Sequence, residues 1–120
     1  MDQNLKNLPL SEILDIEKLN NVDKSIEVAN GLPNECYTNI NYLAHEREKI
    51  FFNKWTVVGV GSSIPKAGDA KPYNLLGIPL ILIRDKDMKI RVFHNVCSHR
   101  GFKLLDEPCT LKNVIRCPYH

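Results

Sequence analysis

The chain has no long hydrophobic run. Its longest apolar stretch, Ile78 to Ile83, is interrupted by Pro79 and is far too short to span a bilayer. Met1 to Leu10 carries Asp2 and Lys6 among polar residues, with no basic segment leading into an apolar stretch of signal-peptide length, so export is not expected. Neither sign of charge dominates. Sixteen Lys and Arg against 14 Asp and Glu leave a formal net charge of +2, too weak and dispersed for a nucleic-acid footprint or a polybasic membrane patch. No internal repeat or low-complexity tract is present, which excludes solenoids and fibrous architectures. The expectation is a soluble, cytoplasmic chain with neither nucleic acid nor membrane as a partner. Four cysteines in such a chain are metal ligands or buried thiols rather than a disulfide framework.

What is present suits one globular domain: 120 residues, 43% hydrophobic and 25% charged, enough to bury roughly two-thirds of the unfolded surface. Ser11 is a candidate N-cap for a short helix carrying Ile13, Leu14, Ile16 and Leu19. Asn20 to Asn34 reads as a lead segment or linker in which Gly31-Leu32-Pro33 breaks any continuing helix. From Thr38 or Asn39 to Phe52, Leu43, Arg47, Ile50 and Phe51 share one side and predict a second helix. At Trp55 the period changes. Trp55 to Val60 is β-branched and aromatic and predicts a strand. Tyr73 to Leu76, Pro79 to Arg84 and Lys89 to Asn95 predict an antiparallel meander, its last turn made by Asp85 to Met88, and Val114-Ile115 predicts a further strand. The expected fold is mainly β, preceded by two short helices. Its expected parts are a lead segment over 1–38, a helix over 39–54 and a β domain over 55–120.

Two short clusters carry the chemistry: Cys97-Ser98-His99 and Cys117-Pro118-Tyr119-His120, together C-x-H-x17-C-x-x-H. Each supplies one thiolate and one imidazole from a loop after a predicted strand, so two loops of a β scaffold can grip one centre from both sides. A [2Fe-2S] cluster has two tetrahedral irons bridged by two sulfides and therefore needs four protein ligands. The two clusters offer four. A structural Cys2His2 zinc site uses the same donors, although zinc fingers favour paired cysteines and paired histidines over this alternation. A reactive Cys97-His99 pair would leave Cys117 and His120 unexplained.

The pattern resembles the Rieske iron-sulfur proteins. The surroundings, Asn95-Val96-Cys97-Ser98-His99-Arg100-Gly101 and Cys117-Pro118-Tyr119-His120, resemble the α subunits of Rieske non-haem iron oxygenases, as do Gly31-Leu32-Pro33 and Ala44 to Phe51 upstream. The resemblance runs from about Gly31 to His120. It implies a small antiparallel Rieske-type β domain in which Cys97 and Cys117 bind one iron and His99 and His120 the other. Two thiolates in place of four leave the oxidised core formally neutral and easier to reduce. Because each coordinated imidazole keeps an outward N–H, reduction should tighten that proton, and the reduction potential should fall with pH in the alkaline range.

The resemblance also implies what is not seen. No strands follow His120 to close the domain, so the sequence reads as an N-terminal fragment. The mononuclear Fe(II) of the family, held by two histidines and a carboxylate, would lie in an absent C-terminal domain. The fragment alone is thus expected to be inactive, with no catalytic residue of its own. Implied partners are a reductase or ferredoxin donor and the catalytic iron domain of the parent subunit, in a homotrimer with O2-dependent mono- or dioxygenase activity. A stand-alone Rieske-type ferredoxin is the alternative.

The remaining candidates read as structural. His45 lacks a second ligand at the spacing of a zinc-protease helix, since Lys49 stands there, and His94 lies on a strand. Gly59-Val60-Gly61 is a turn rather than a dinucleotide loop, and Asp85 with Asp87 a hairpin turn rather than a calcium loop. Cys36 and Cys109 are expected to be buried small hydrophobes. Arg100 and Tyr119 adjoin ligands and are candidates for hydrogen bonds around the centre.

Overall fold

Ile78 to Arg84 is aliphatic at almost every position, the pattern of a strand covered on both faces. The computed structural model, which describes residues 8–112 and 114–119, makes this run the inner strand of a four-stranded sheet. The strands are β1 (Asp69–Leu75), β2 (Ile78–Arg84), β3 (Ile90–His94) and β4 (Cys109–Thr110), in the order β3-β2-β1-β4. All pairings are antiparallel, with Tyr73 opposite Leu80 and Leu82 opposite Val92. Leu80, Ile81 and Leu82 are buried in succession and, with Ala70 and Ile64, form the core of this part.

The predicted meander is therefore present. The β1–β2 connection is the two-residue turn Leu76-Gly77, both at positive φ (48° and 96°), as a tight hairpin of matching twist requires. Asn74 Oδ1 accepts from the Gly77 N–H at 2.6 Å. At the β2–β3 turn, Asp85 Oδ1 accepts from the N–H groups of Asp87 and Lys89, while Oδ2 accepts from Arg91 Nε at 2.9 Å. Pro72 is tolerated in β1 because β4 pairs only with Asp69 and Ala70, leaving the outer side of β1 beyond them without a ladder among the described residues.

Two strand expectations fail. Trp55 to Val60 joins no ladder and ends in a 3₁₀ turn, Gly61–Ser63. Val114 and Ile115 join none either. High β-propensity describes a surface that fits a sheet, and among the described residues no strand edge meets these segments. The short β4 was not expected. Gly68 makes its approach possible: Leu111 N–H donates to Gly68 O at 2.8 Å, and a Cβ at Gly68, where φ is +88°, would lie 2.5 Å from Leu111 O. Cys109, on this strand, is exposed, which overturns its expected burial. Arg84 holds the lead-in to the sheet. Its guanidinium donates to the carbonyls of Ile64 (2.9 Å), Gly61 (2.7 Å) and Met88 (2.9 Å).

The chain divides after Thr56 into two compact units. In the first, the single helix expected from Ser11 is two: α1 (Leu10–Ile13) and α2 (Ile16–Asn20). Asp15 caps α2, accepting from Glu17 N and Lys18 N, and extended Leu14 buries its side chain with Ile13. A short α3 (Glu35–Thr38), not anticipated, precedes α4 (Ile40–Glu46). Asn39 caps α4 as expected, and a π-helical turn, Arg47–Phe51, carries it on to the Phe52 ring beneath the Arg47 guanidinium. His45 is half-buried with Nε2 against the Leu8 carbonyl. Cys36 is half-buried too, and burial first, then the hydrogen bond and charge of Cys36, pushes the Tyr42 hydroxyl up to about 12. No helix of the described residues is long and apolar enough to cross a membrane.

Candidate metal centre

β3 ends at His94, and the chain leaves the sheet through Asn95, the only buried polar side chain among the described residues. Its backbone N–H donates to Pro79 O at 2.8 Å, tying the exit to β2. The next residues form a closed loop. Cys97 N–H donates to Phe102 O at 2.7 Å, and Gly101 N–H, at φ +66°, returns to Cys97 O at 2.9 Å. Ser98, His99 and Arg100 are thus held in a turn at the tip, with His99 exposed.

That turn points amides at sulfur. The backbone N–H of His99 holds the Cys97 thiol below its ordinary value. Desolvation opposes this, while the Cys117 side chain and the Arg100 N–H lower it further. Cys117, twenty positions along the chain, has therefore been brought close enough to Cys97 to act on its thiol. Donors aimed at a thiolate are what a metal-bound sulfur needs, so the surroundings of Cys97 fit an iron-sulfur ligand.

The two loops also touch through Arg100 and Tyr119. Arg100 Nη1 donates to the Tyr119 hydroxyl at 3.1 Å, its guanidinium carbon lies 5.4 Å from the Tyr119 ring centre, and the Phe102 ring is 6.2 Å from that of Tyr119. Arg100 and Tyr119 thus bond to each other, joining the two halves of the motif.

Of the four expected ligands, the structure brings Cys97 and Cys117 together. No group of three or more metal-donor side chains that could hold a metal ion forms among the described residues; His99 is exposed, and His120 lies outside those residues. His94 is exposed on β3 and takes no part. From the sequence, Asn95 is the last residue of the strand expected over Lys89 to Asn95, with no role for its side chain. Its signal is its place two residues before Cys97, an expected ligand.

A sheet that presents two facing loops, one carrying Cys-x-His and the other Cys, defines an iron-sulfur electron-transfer module. The chain belongs to the Rieske [2Fe-2S] domain family, whose model matches residues 54–120, and the cofactor of that family is a [2Fe-2S] cluster. It is similar to the carnitine monooxygenase oxygenase subunit of Escherichia coli (strain K12), with 39% identity over 74% of this chain and 24% of that one. It is also similar to the chloroplastic choline monooxygenase of Spinacia oleracea, with 33% identity over 78% and 21%. Among solved structures, it matches a quaternary ammonium Rieske monooxygenase studied for carnitine oxidation and inter-subunit electron transfer, with TM-score 0.63 and 41% identity over 71% of this chain and 23% of that one. The chain spans about a quarter of the length of these relatives.

Proposed function

We propose that Cys97 and Cys117 hold one iron of the cluster and His99 and His120 the other, and that the chain is the cluster-bearing part of a hydroxylating oxygenase α subunit. The convergence of Cys97 and Cys117 from two loops, with backbone amides on the Cys97 sulfur, is the observation that carries this reading. When bound, the cluster accepts and releases one electron at a time. The chain's own part is to fix the sulfur donors, to favour the thiolate of Cys97 and to leave His99 exposed at the loop tip.

In the whole protein, this reading makes a reductase or ferredoxin the donor and a mononuclear Fe(II) in a separate catalytic domain the acceptor, within a homotrimer. The activity is O2-dependent hydroxylation or demethylation. The carnitine and choline named by the relatives make a small quaternary ammonium compound the proposed substrate class. The proposed organisation remains a lead segment over 1–38, a helix over 39–54 and the cluster domain over 55–120. A cytoplasmic location accords with the four cysteines, each free of a disulfide.

The test is reconstitution of the full gene product with iron and sulfide. The expected product is red-brown with a Rieske-type electron paramagnetic resonance signal and a reduction potential that falls with pH in the alkaline range. Cys97→Ser and Cys117→Ser should each abolish it. A colourless, zinc-loaded protein, or a potential flat across that range, would overturn the reading.

A further inference from the structure

Asn95 is 1% exposed, and its side-chain amide uses both ends on one short stretch of backbone. Oδ1 accepts from Leu105 N at 2.9 Å and Leu104 N at 3.1 Å, and Nδ2 donates to Leu105 O at 2.7 Å. The side chain thus engages Leu105 as a neighbouring strand's peptide group would. Above this base comes the Cys97-to-Phe102 rung, and above that the turn whose amides face the Cys97 sulfur. Base, rung and tip form one stack of hydrogen bonds, and Asn95 closes the end joined to β2, through Pro79.

We propose that Asn95 is the positioning residue of the cluster loop: its buried amide clamps Leu104 and Leu105 and so sets the geometry from which Cys97 and His99 would each hold their own iron of the cluster. The inference rests on the cluster reading above. The residue type follows from the site. A carboxylate would put an ion into a buried position and turn an acceptor towards the Leu105 carbonyl, an alkyl group would leave two N–H groups and a carbonyl unpaired, and glutamine is one methylene too long for the same two-point contact. Loosening the base lets the rung fray and turns the tip amides away from sulfur. Those amides stabilise the extra negative charge of the reduced centre, so their loss lowers the potential.

The experiment compares the full gene product, reconstituted with iron and sulfide, with its Asn95→Leu and Asn95→Ser variants. Asn74→Ala, which removes the side-chain cap of the β1–β2 turn, serves as a purely structural control. In the Asn95 variants, cluster loss to an iron chelator should be about tenfold to a hundredfold faster. Their loaded fraction should show a lower reduction potential and shifted g-values, while Asn74→Ala leaves both at the parent values. If Asn95→Leu does not fold, Asn95→Ser decides, being neutral and smaller. An unchanged potential and signal in the loaded Asn95→Ser protein would overturn the assignment. A parent protein that forms no Rieske signal at all would instead overturn the cluster reading itself.

Discussion

Ile81 and His99 stand at the two extremes of the second unit. Ile81, in β2, has a hydrogen-bonded strand on either side and no exposed surface, whereas His99 sits exposed at the tip of a loop joined to the sheet at its base. In the sheet, position comes from backbone ladders and buried aliphatic area, so many side chains could be exchanged for others of similar volume. In the loops it comes from single contacts that cannot be exchanged: one asparagine amide, one positive-φ glycine, one arginine on one tyrosine. The difference suits the task. A centre that changes charge needs a base that does not move, and donors that can be aimed individually.

The largest expected effect breaks the sheet side of this contrast. Ile81→Ala removes a fully buried side chain from the middle of β2 and should cost about 2–5 kcal/mol, read from denaturant unfolding. Cluster loading should fall with it, since both loops hang on the sheet. Next comes Gly68→Ala. A Cβ there meets Leu111 O at 2.5 Å and forces a side chain onto a φ of +88°, which should cost about 1–3 kcal/mol. Its damage should centre on the β1–β4 pairing, visible as loss of amide protection at Leu111 with the β2–β3 ladder retained.

How far these parts were legible follows the same division. The meander could be read because aliphatic runs and turn residues act locally. Trp55 to Val60 could not, since whether a β-prone segment becomes a strand depends on a distant edge. The break after Ile13 was missed because Asp15 caps α2 inside what looks like one apolar period. At the centre, residue type and spacing name four candidate donors, and of these the structure brings Cys97 and Cys117 together. The role of Asn95 is not legible: nothing in an isolated asparagine says that its amide will be buried against Leu104 and Leu105, nine and ten positions on.

A smaller effect sharpens the comparison through pH. The Arg91 side chain first, then the Lys89 N–H, holds the Asp85 carboxyl below its ordinary value of 3.8. A depressed folded value means that the contribution is present above the ordinary value and is lost as the pH falls through the folded one. The β2–β3 turn should therefore loosen first in acid. Asp85→Asn should remove that part of the acid sensitivity, read from amide exchange at Met88 and Lys89 across an acid titration. Equal sensitivity in parent and variant would show that Asp85 does not anchor the turn.

The smallest change tests whether the two loops act as one. Tyr119→Phe deletes the hydroxyl that accepts from Arg100 but keeps the ring beneath the guanidinium and beside Phe102. Because the pair is exposed, the expected loss is only about 0.5 kcal/mol. Tyr119→Ala also removes the ring and should cost about 1 kcal/mol, with faster amide exchange at Gly101 on the opposite loop. The order of the two variants carries the argument. If the alanine variant is clearly the worse, the loops are held by a stacked face that tolerates small shifts as the charge of the centre changes; if the two are equal, a single directional hydrogen bond joins them, and movement of either loop must break it.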